Sequence, residues 1–174
     1  MTALGVAPAA PHTDVSQDFR HLMKMWPSGV SVVTTQVDGA PYGFTASSFT
    51  SVSMHPPMIS VCLDRSARCA PAFAEADWIS VNVLGSHQDG LAGRFASKLD
   101  DKFNGLTVVE GAGGAPAFPD SLGVIECRLD RVIPAGDHLI LLANVHRATH
   151  LGASEPLAYY RSAFAEVSPR ERAR

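Results

Sequence analysis

Strand-forming segments follow one another along this 174-residue chain with no helix regularly placed between them. Gly29–Gln36, Met58–Leu63, Trp78–Leu84, Val124–Val132 and Leu139–Thr149 are rich in β-branched and apolar residues, which suit a pleated, half-buried surface. A parallel sheet would need a crossover helix after nearly every strand, whereas antiparallel strands need only short turns. Val37-Asp38-Gly39-Ala40 carries the Asp-Gly hairpin signal, and Gly136-Asp137 separates the last two long strands. Six or seven strands with two or three helices therefore predict a mainly β fold, a closed antiparallel barrel with peripheral helices.

Three helices are legible. Between Asp14 and Trp26, Phe19, Leu22, Met23 and Trp26 recur at helical spacing; Asp14 or Ser16 caps the start and Pro27 ends it. Residues 69–76 read as a short Ala-rich helix. Ser86-His-Gln-Asp has capping-box form and predicts a helix to about Leu99, with Arg94 and Lys98 one turn apart. No repeat or second domain is evident. The organisation expected is a disordered segment over 1–13, one domain over 14–167 and a tail over 168–174.

Composition excludes several classes of function. The net charge is −3, so no basic face for nucleic acid is expected. Apolar runs are too short to span a bilayer, and residues 1–13 lack the basic start and apolar middle of an export signal. Cys62, Cys69 and Cys127 form an odd set without Cys-x-x-Cys, which disfavours a disulfide framework or zinc site and fits a reducing cytoplasm. His146 and His150 lie on a strand pattern, where they do not converge as a metal pair, so no metal site is expected.

Residues 43–57 carry the densest chemical signal. Thr45, Ser47, Ser48, Thr50, Ser51 and Ser53 place six hydroxyls within nine residues, with no charged residue among them. Singly, such residues bond local backbone. Together, after Gly43, they predict a site for an anionic hydrogen-bonding ligand, with Ser48 and Ser51 toward a phosphate and Arg94 supplying charge. The alternative for Arg94 is an ordinary exposed helix arginine. Gly111-Ala-Gly-Gly-Ala-Pro fails as a dinucleotide fingerprint, because Pro116 stands where the third glycine belongs. No Gly-x-Ser-x-Gly elbow or activated cysteine is present, which leaves chemistry carried by a bound organic molecule. Taken alone, His138 reads as a hairpin histidine facing water, and Tyr159-Tyr160-Arg161 as a packed aromatic pair with an exposed arginine.

Several motifs together change these odds: Gly29-Val-Ser-Val-Val-Thr-Thr, Tyr42-Gly-Phe-Thr-Ala-Ser-Ser-Phe-Thr-Ser-Val-Ser, Pro56-Pro57, Val81-Asn-Val-Leu, Arg94-Phe95 and Gly136-Asp137-His138. In this order the chain resembles the flavin reductase-like family from about residue 16 to 165. The likeness is strongest to the short-chain reductase components of two-component flavin-dependent monooxygenases.

The resemblance implies a flavin-binding split β-barrel of antiparallel, Greek-key type that forms a homodimer. It implies NADH- or NADPH-dependent reduction of FMN or FAD, with free flavin as a diffusible substrate and a separate monooxygenase as the recipient of reduced flavin. It places Thr45, Ala46, Ser47 and Ser48 along the flavin ring and ribityl chain, and Thr50 and Ser51 at the phosphate end. Cys62, Leu63, Asp64 and Ser66 face the isoalloxazine edge. Arg94, Lys102 and Phe103 hold the phosphate or adenosine part. His138 contacts the nicotinamide, with Tyr159, Tyr160 and Arg161 beside it. Backbone N–H groups near Thr45–Ser48 and Cys62–Ser66 are expected to stabilise negative charge on the flavin. Two other readings stay open: a carrier with tightly bound flavin, and a non-catalytic haem- or small-ligand-binding split barrel using His87, His146 or His150.

Overall fold

A computed structural model describes residues 14–152 and 155–168. The segment expected to be disordered, 1–13, and the expected tail except Ser168 lie outside the described residues. In chain order the elements are α1 (Val15–Lys24), β1 (Ser28–Gly29), β2 (Ser31–Val37), β3 (Ala40–Ala46), β4 (Thr50–Met54) and β5 (Pro57–Asp64). There follow α2 (Ala70–Glu75), β6 (Trp78–Val83), a 3₁₀ turn (Ser86–Gln88), α3 (Asp89–Ala96), β7 (Val109–Glu110) and a second 3₁₀ turn (Ala112–Gly114). The chain ends with β8 (Pro116–Ala117), β9 (Gly123–Ala135), β10 (His138–His150), β11 (Leu157–Tyr160) and β12 (Ala163–Glu166).

Seven strands form one antiparallel sheet in the order β3-β2-β6-β9-β10-β5-β4. Its two edge strands are consecutive in the chain. Only Ser47, Ser48 and Phe49 separate the end of β3 from the start of β4. Four residue steps reach at most about 14 Å, so the two edges are drawn together and the sheet curls into a barrel. The hydroxyl-rich segment is thus the seam of the barrel.

The strand pleat builds the core. Along β5, Ile59, Val61 and Leu63 are buried while Ser60 and Cys62 are only partly so. With Val33, Phe44, Phe73, Ile79, Val81 and Leu141 they fill the interior. A second cluster, Val30, Val32, Leu84, Ala92, Phe95, Phe118 and Leu157, seats α3 on the barrel. Gly43 is required there, since a Cβ would fall 2.7 Å from the Phe95 ring.

Turn chemistry follows the sequence closely. Asp38 and Gly39 both take positive φ, 50° and 77°, as a two-residue hairpin requires. Asp14, rather than Ser16, caps α1 by accepting from the N–H groups of Ser16 at 2.9 Å and Gln17 at 3.3 Å. The predicted capping box at Ser86 is displaced: the Gln88 side chain accepts from Gly85 N–H at 3.0 Å, and a 3₁₀ turn precedes a shorter α3.

Residues 105–119 contain the short β7–β8 pair, pinned to the sheet by buried polar groups. Asn82 Oδ1 accepts from Phe118 N–H at 2.8 Å, and Thr34 donates to the Pro116 carbonyl. The Glu126 carboxylate accepts from Ala112 N–H at 2.6 Å and receives the Arg147 guanidinium. The glycine-rich turn therefore serves packing. Gly113 lies so close to Trp78 that a Cβ would fall 2.2 Å from its ring.

A separate three-stranded sheet, β1-β11-β12, joins the chain entering β2 to its C-terminal hairpin. The β12 strand was not legible beforehand. No described helix is long and apolar enough to cross a membrane.

Candidate functional site

A cleft of about 800 Å³ opens beside the seam. Ser47, Ser48 and Thr50 line one wall, and Tyr159, Tyr160 and Arg161 line another. The third side is α1 and the residues just after it, through Arg20, Lys24 and Trp26. Local pairing explains the meeting. Ser31 of β2 pairs with Ala46 at the end of β3, while Ser28 of β1 pairs with Tyr159. Two segments 110 residues apart in sequence thus face each other across β1 and β2. Their mutual placement follows from the small sheet.

The hydroxyls divide by role. Ser48 Oγ accepts from Cys62 N–H at 2.9 Å and donates to the Cys62 carbonyl at 3.2 Å, which ties the seam to β5. Thr45 Oγ1 donates to the Ala92 carbonyl at 2.6 Å and anchors α3. Thr50 Oγ1 donates to the Ser48 carbonyl at 3.4 Å. These three protons are used within the chain, as the simple backbone-bonding reading had it. Ser47 lines the cleft and Ser51, on β4, is exposed. Ala46 is buried and Leu63 belongs to the core, so neither side chain faces the cleft openly.

Beyond Cys62, the strand end is internally satisfied. Asp64 Oδ1 accepts from Ser66 N–H at 2.7 Å and from Ser66 Oγ at 2.8 Å, and these bonds hold its carboxyl below the usual carboxylate range. Arg65 N–H donates to the Asp137 carbonyl at 2.9 Å, and Ala67 N–H to that of Asp64 at 3.0 Å. The amides of Cys62, Arg65 and Ser66 are thus engaged within the chain. His138 stands opposite Asp64, two residues along β5 from the Ser48–Cys62 tie. Its Nδ1 lies 2.7 Å from Asp137 Oδ1, and this hydrogen bond lowers the Asp137 pKa. His138 is at the barrel rim and outside the cleft lining.

Arg94, Lys102 and Phe103 form a neighbouring group. Arg94 donates to the Asn104 carbonyl, and its Nε is buried without a protein partner. Lys102 Nζ donates to the Phe95 carbonyl at 2.7 Å, and desolvation lowers its pKa. Phe103 stacks in the aromatic cluster with Phe95 and Phe118, so its ring is a packing element.

Sequence reasoning missed the α1 contribution. Its signal was present: Arg20 and Lys24 are one turn apart, with no acid between them to pair with either. It also missed the Glu126–Arg147 pair, whose members are remote in sequence.

Among the described residues, no carboxylate, imidazole or thiol lines the cleft. Hydroxyls, aromatic rings and cations do. That donor set fits a flat heteroaromatic ligand with an anionic tail, and the volume is that of a cofactor site. Among the described residues no group of three or more His, Cys, Asp or Glu side chains is placed to hold a metal ion. None of His87, His146 and His150 lines the cleft, and His146 packs edge-on against Trp78 at 5.2 Å.

Comparison with known proteins accords with this site. Residues 23–168 match the flavin reductase like domain, and the chain belongs to that family. Its class is therefore that of an NAD(P)H:flavin oxidoreductase built on the split barrel. The chain is 42% identical over 149 residues to a Streptomyces coelicolor protein named actinorhodin polyketide dimerase, covering 85% of this chain and 84% of that one. It is 36% identical over 152 residues to the reductase component of a Rhodococcus opacus 4-nitrophenol 4-monooxygenase/4-nitrocatechol 2-monooxygenase, covering 87% and 81%. Among solved structures, the Streptomyces globisporus NADH:FAD oxidoreductase in complex with NAD and FAD fragments superposes with a TM-score of 0.84 at 32% identity, covering 92% of this chain and 98% of that one.

Proposed function

We propose that the protein reduces FMN or FAD with NADH or NADPH in the seam cleft and passes the reduced flavin to a separate monooxygenase. The single observation that carries this reading is the cleft itself: large, aromatic and cationic, with no carboxylate, imidazole or thiol among the described residues that line it. Bound together, flavin and nicotinamide supply the hydride chemistry. The chain's part is to bind and orient them.

The Ser48–Cys62 tie fixes the seam against β5, and a flat ring would rest against it. Ser47 and Ser51 remain to meet the polar flavin chain, beside Thr45, Ala46 and Thr50. Arg94 and Lys102 supply cations, and the buried Arg94 Nε is a donor still in want of an acceptor. His138 lies about 7 Å along β5 from the tie, two strand residues, within reach of the nicotinamide end of a ligand laid from seam to rim. Hydrogen bonding to Asp137 orients its ring. Tyr159, Tyr160 and Arg161 close the other side. Aligned binding is the main source of rate in such a site.

The working form is a homodimer. No α1 residue is buried, and its apolar Phe19 and Leu22 are 63% and 67% exposed. An amphipathic helix with its apolar stripe in water calls for a covering surface, and a second copy is the occupant the resemblance implies. Cys62, Cys69 and Cys127 are all unpaired, which suits a cytoplasmic enzyme.

Steady-state turnover with the four pairings of NADH or NADPH with FMN or FAD tests the proposal. Flavin-dependent oxidation of one nicotinamide is the expected result; no turnover in any pairing overturns it.

A further inference from the structure

Three cations meet at the α1 side of the cleft, and nothing in the fold requires them there. Arg20 and Lys24 are one turn apart on α1 and both line the cleft. Like charges at this spacing oppose each other on a helix. Arg161 comes from the turn between β11 and β12 and lines the same cleft. Among the described residues, no aspartate or glutamate lines the cleft, and none of the three cations has a carboxylate partner.

The turn that presents Arg161 is itself unusual. Arg161 and Ser162 have φ of 51° and 63°, the left-handed region that a two-residue hairpin normally fills with Asn and Gly. Strained non-glycine residues persist where surrounding structure holds them, and they gather at ligand sites. Here two contacts hold the turn. Arg161 N–H donates to the Lys24 carbonyl at 2.9 Å, which joins the turn to the end of α1. The Arg161 guanidinium lies 5.2 Å from the Tyr160 ring centroid. The backbones that carry Lys24 and Arg161 are thereby linked through one hydrogen bond.

We infer that Arg20, Lys24 and Arg161 form an anchoring site for the diphosphate of an adenine dinucleotide. The inference rests on the cleft being the cofactor site and adds two residues of α1 to it. A diphosphate carries two negative charges and several acceptor oxygens, which three converging cations satisfy better than one. Trp26, beside Lys24 in the same wall, offers a face for the adenine.

Equilibrium titration with ADP tests the site without turnover, so failure here is separable from failure of the flavin reductase reading. The variants are Arg20→Gln combined with Lys24→Gln, and separately Arg161→Ala. The α1 positions are exposed, and circular dichroism checks that the fold is kept. Wild type is expected to bind ADP in a salt-sensitive manner, and each variant about tenfold more weakly. In turnover, the double variant is expected to raise the KM of NADH or of FAD by a similar factor. Whichever moves identifies the dinucleotide whose diphosphate the site holds, and a change in either supports the inference. Failure of wild type to bind ADP, equal ADP affinity in variant and wild type, or weakened ADP binding with neither KM moved would overturn it.

Discussion

Replacing Glu126 by Ala separates structural from catalytic roles in this barrel. Glu126 is 3% exposed, at the point where β9 supports the Gly111–Ala115 turn. It accepts from Ala112 N–H and from the Arg147 guanidinium, whose own side chain is 62% exposed. A hydrogen bond to a buried carboxylate contributes about 1.5–3 kcal/mol. The arginine, being largely in water, adds about 0–1 kcal/mol. The sum predicts a loss of about 1.5–4 kcal/mol for Glu126→Ala, or about 3–16 °C in melting temperature for a domain of this size. Glu126→Gln keeps the acceptor for Ala112 and is expected to lose about half as much.

The same residue sets a pH dependence. The Arg147 hydrogen bond is the largest influence holding its carboxyl below the ordinary 4.5. A carboxylate with a lowered folded pKa contributes stability that is fully present above the unfolded value and is lost as pH falls through the folded one. Wild type is therefore expected to lose stability below about pH 4.5 more steeply than Glu126→Gln. Thermal melts followed by circular dichroism from pH 7 to 3 read both effects. A Glu126→Ala protein melting within about 2 °C of wild type at pH 7 would refute the ledger of contacts.

Three other outcomes are expected. Ser48→Ala should cost about 1–2 kcal/mol by freeing Cys62 N–H and the Cys62 carbonyl, and should raise the flavin KM because the seam is no longer tied to β5; denaturant melts and steady-state kinetics check it. His138→Ala should raise the KM of the nicotinamide more than that of flavin, and equal changes would place the ring elsewhere. Phe19→Asp with Leu22→Asp should convert a dimer to a monomer in sedimentation, since charges on the apolar stripe of α1 oppose its burial.

The parts of the fold that depend on local chemistry were readable from the chain. The Asp38-Gly39 turn, the Asp14 cap and the alternating Ile59, Val61 and Leu63 each state their own environment. The placement of Ser47 and Ser48 at a seam was not local information. It follows from β3 and β4 being the two edges of one sheet, which depends on pairings as distant as Ser31 with Ala46 and His138 with Asp64. The role of each hydroxyl was hidden for the same reason. Ser48 and Thr45 look alike in sequence, but one faces Cys62 and the other Ala92. Phe103 was placed beside the ligand by family resemblance alone, and its packing against Phe95 and Phe118 could not be read beforehand because these rings meet only in the folded chain. Gly111–Pro116 failed the dinucleotide pattern in the sequence, and its packing against Trp78 and Glu126 emerged only in the folded chain.

The central claim is that this chain holds two redox heterocycles in one cleft and contributes orientation rather than proton transfer. Anaerobic single-turnover mixing of protein and flavin with NADH or NADPH deuterated at the transferable C4 position tests it most directly. The account predicts loss of the flavin's visible absorbance with a primary isotope effect, at a rate nearly flat in pH across the neutral range. No bleaching with either flavin and either nicotinamide, or bleaching whose rate follows a single ionisation through neutrality, would contradict it.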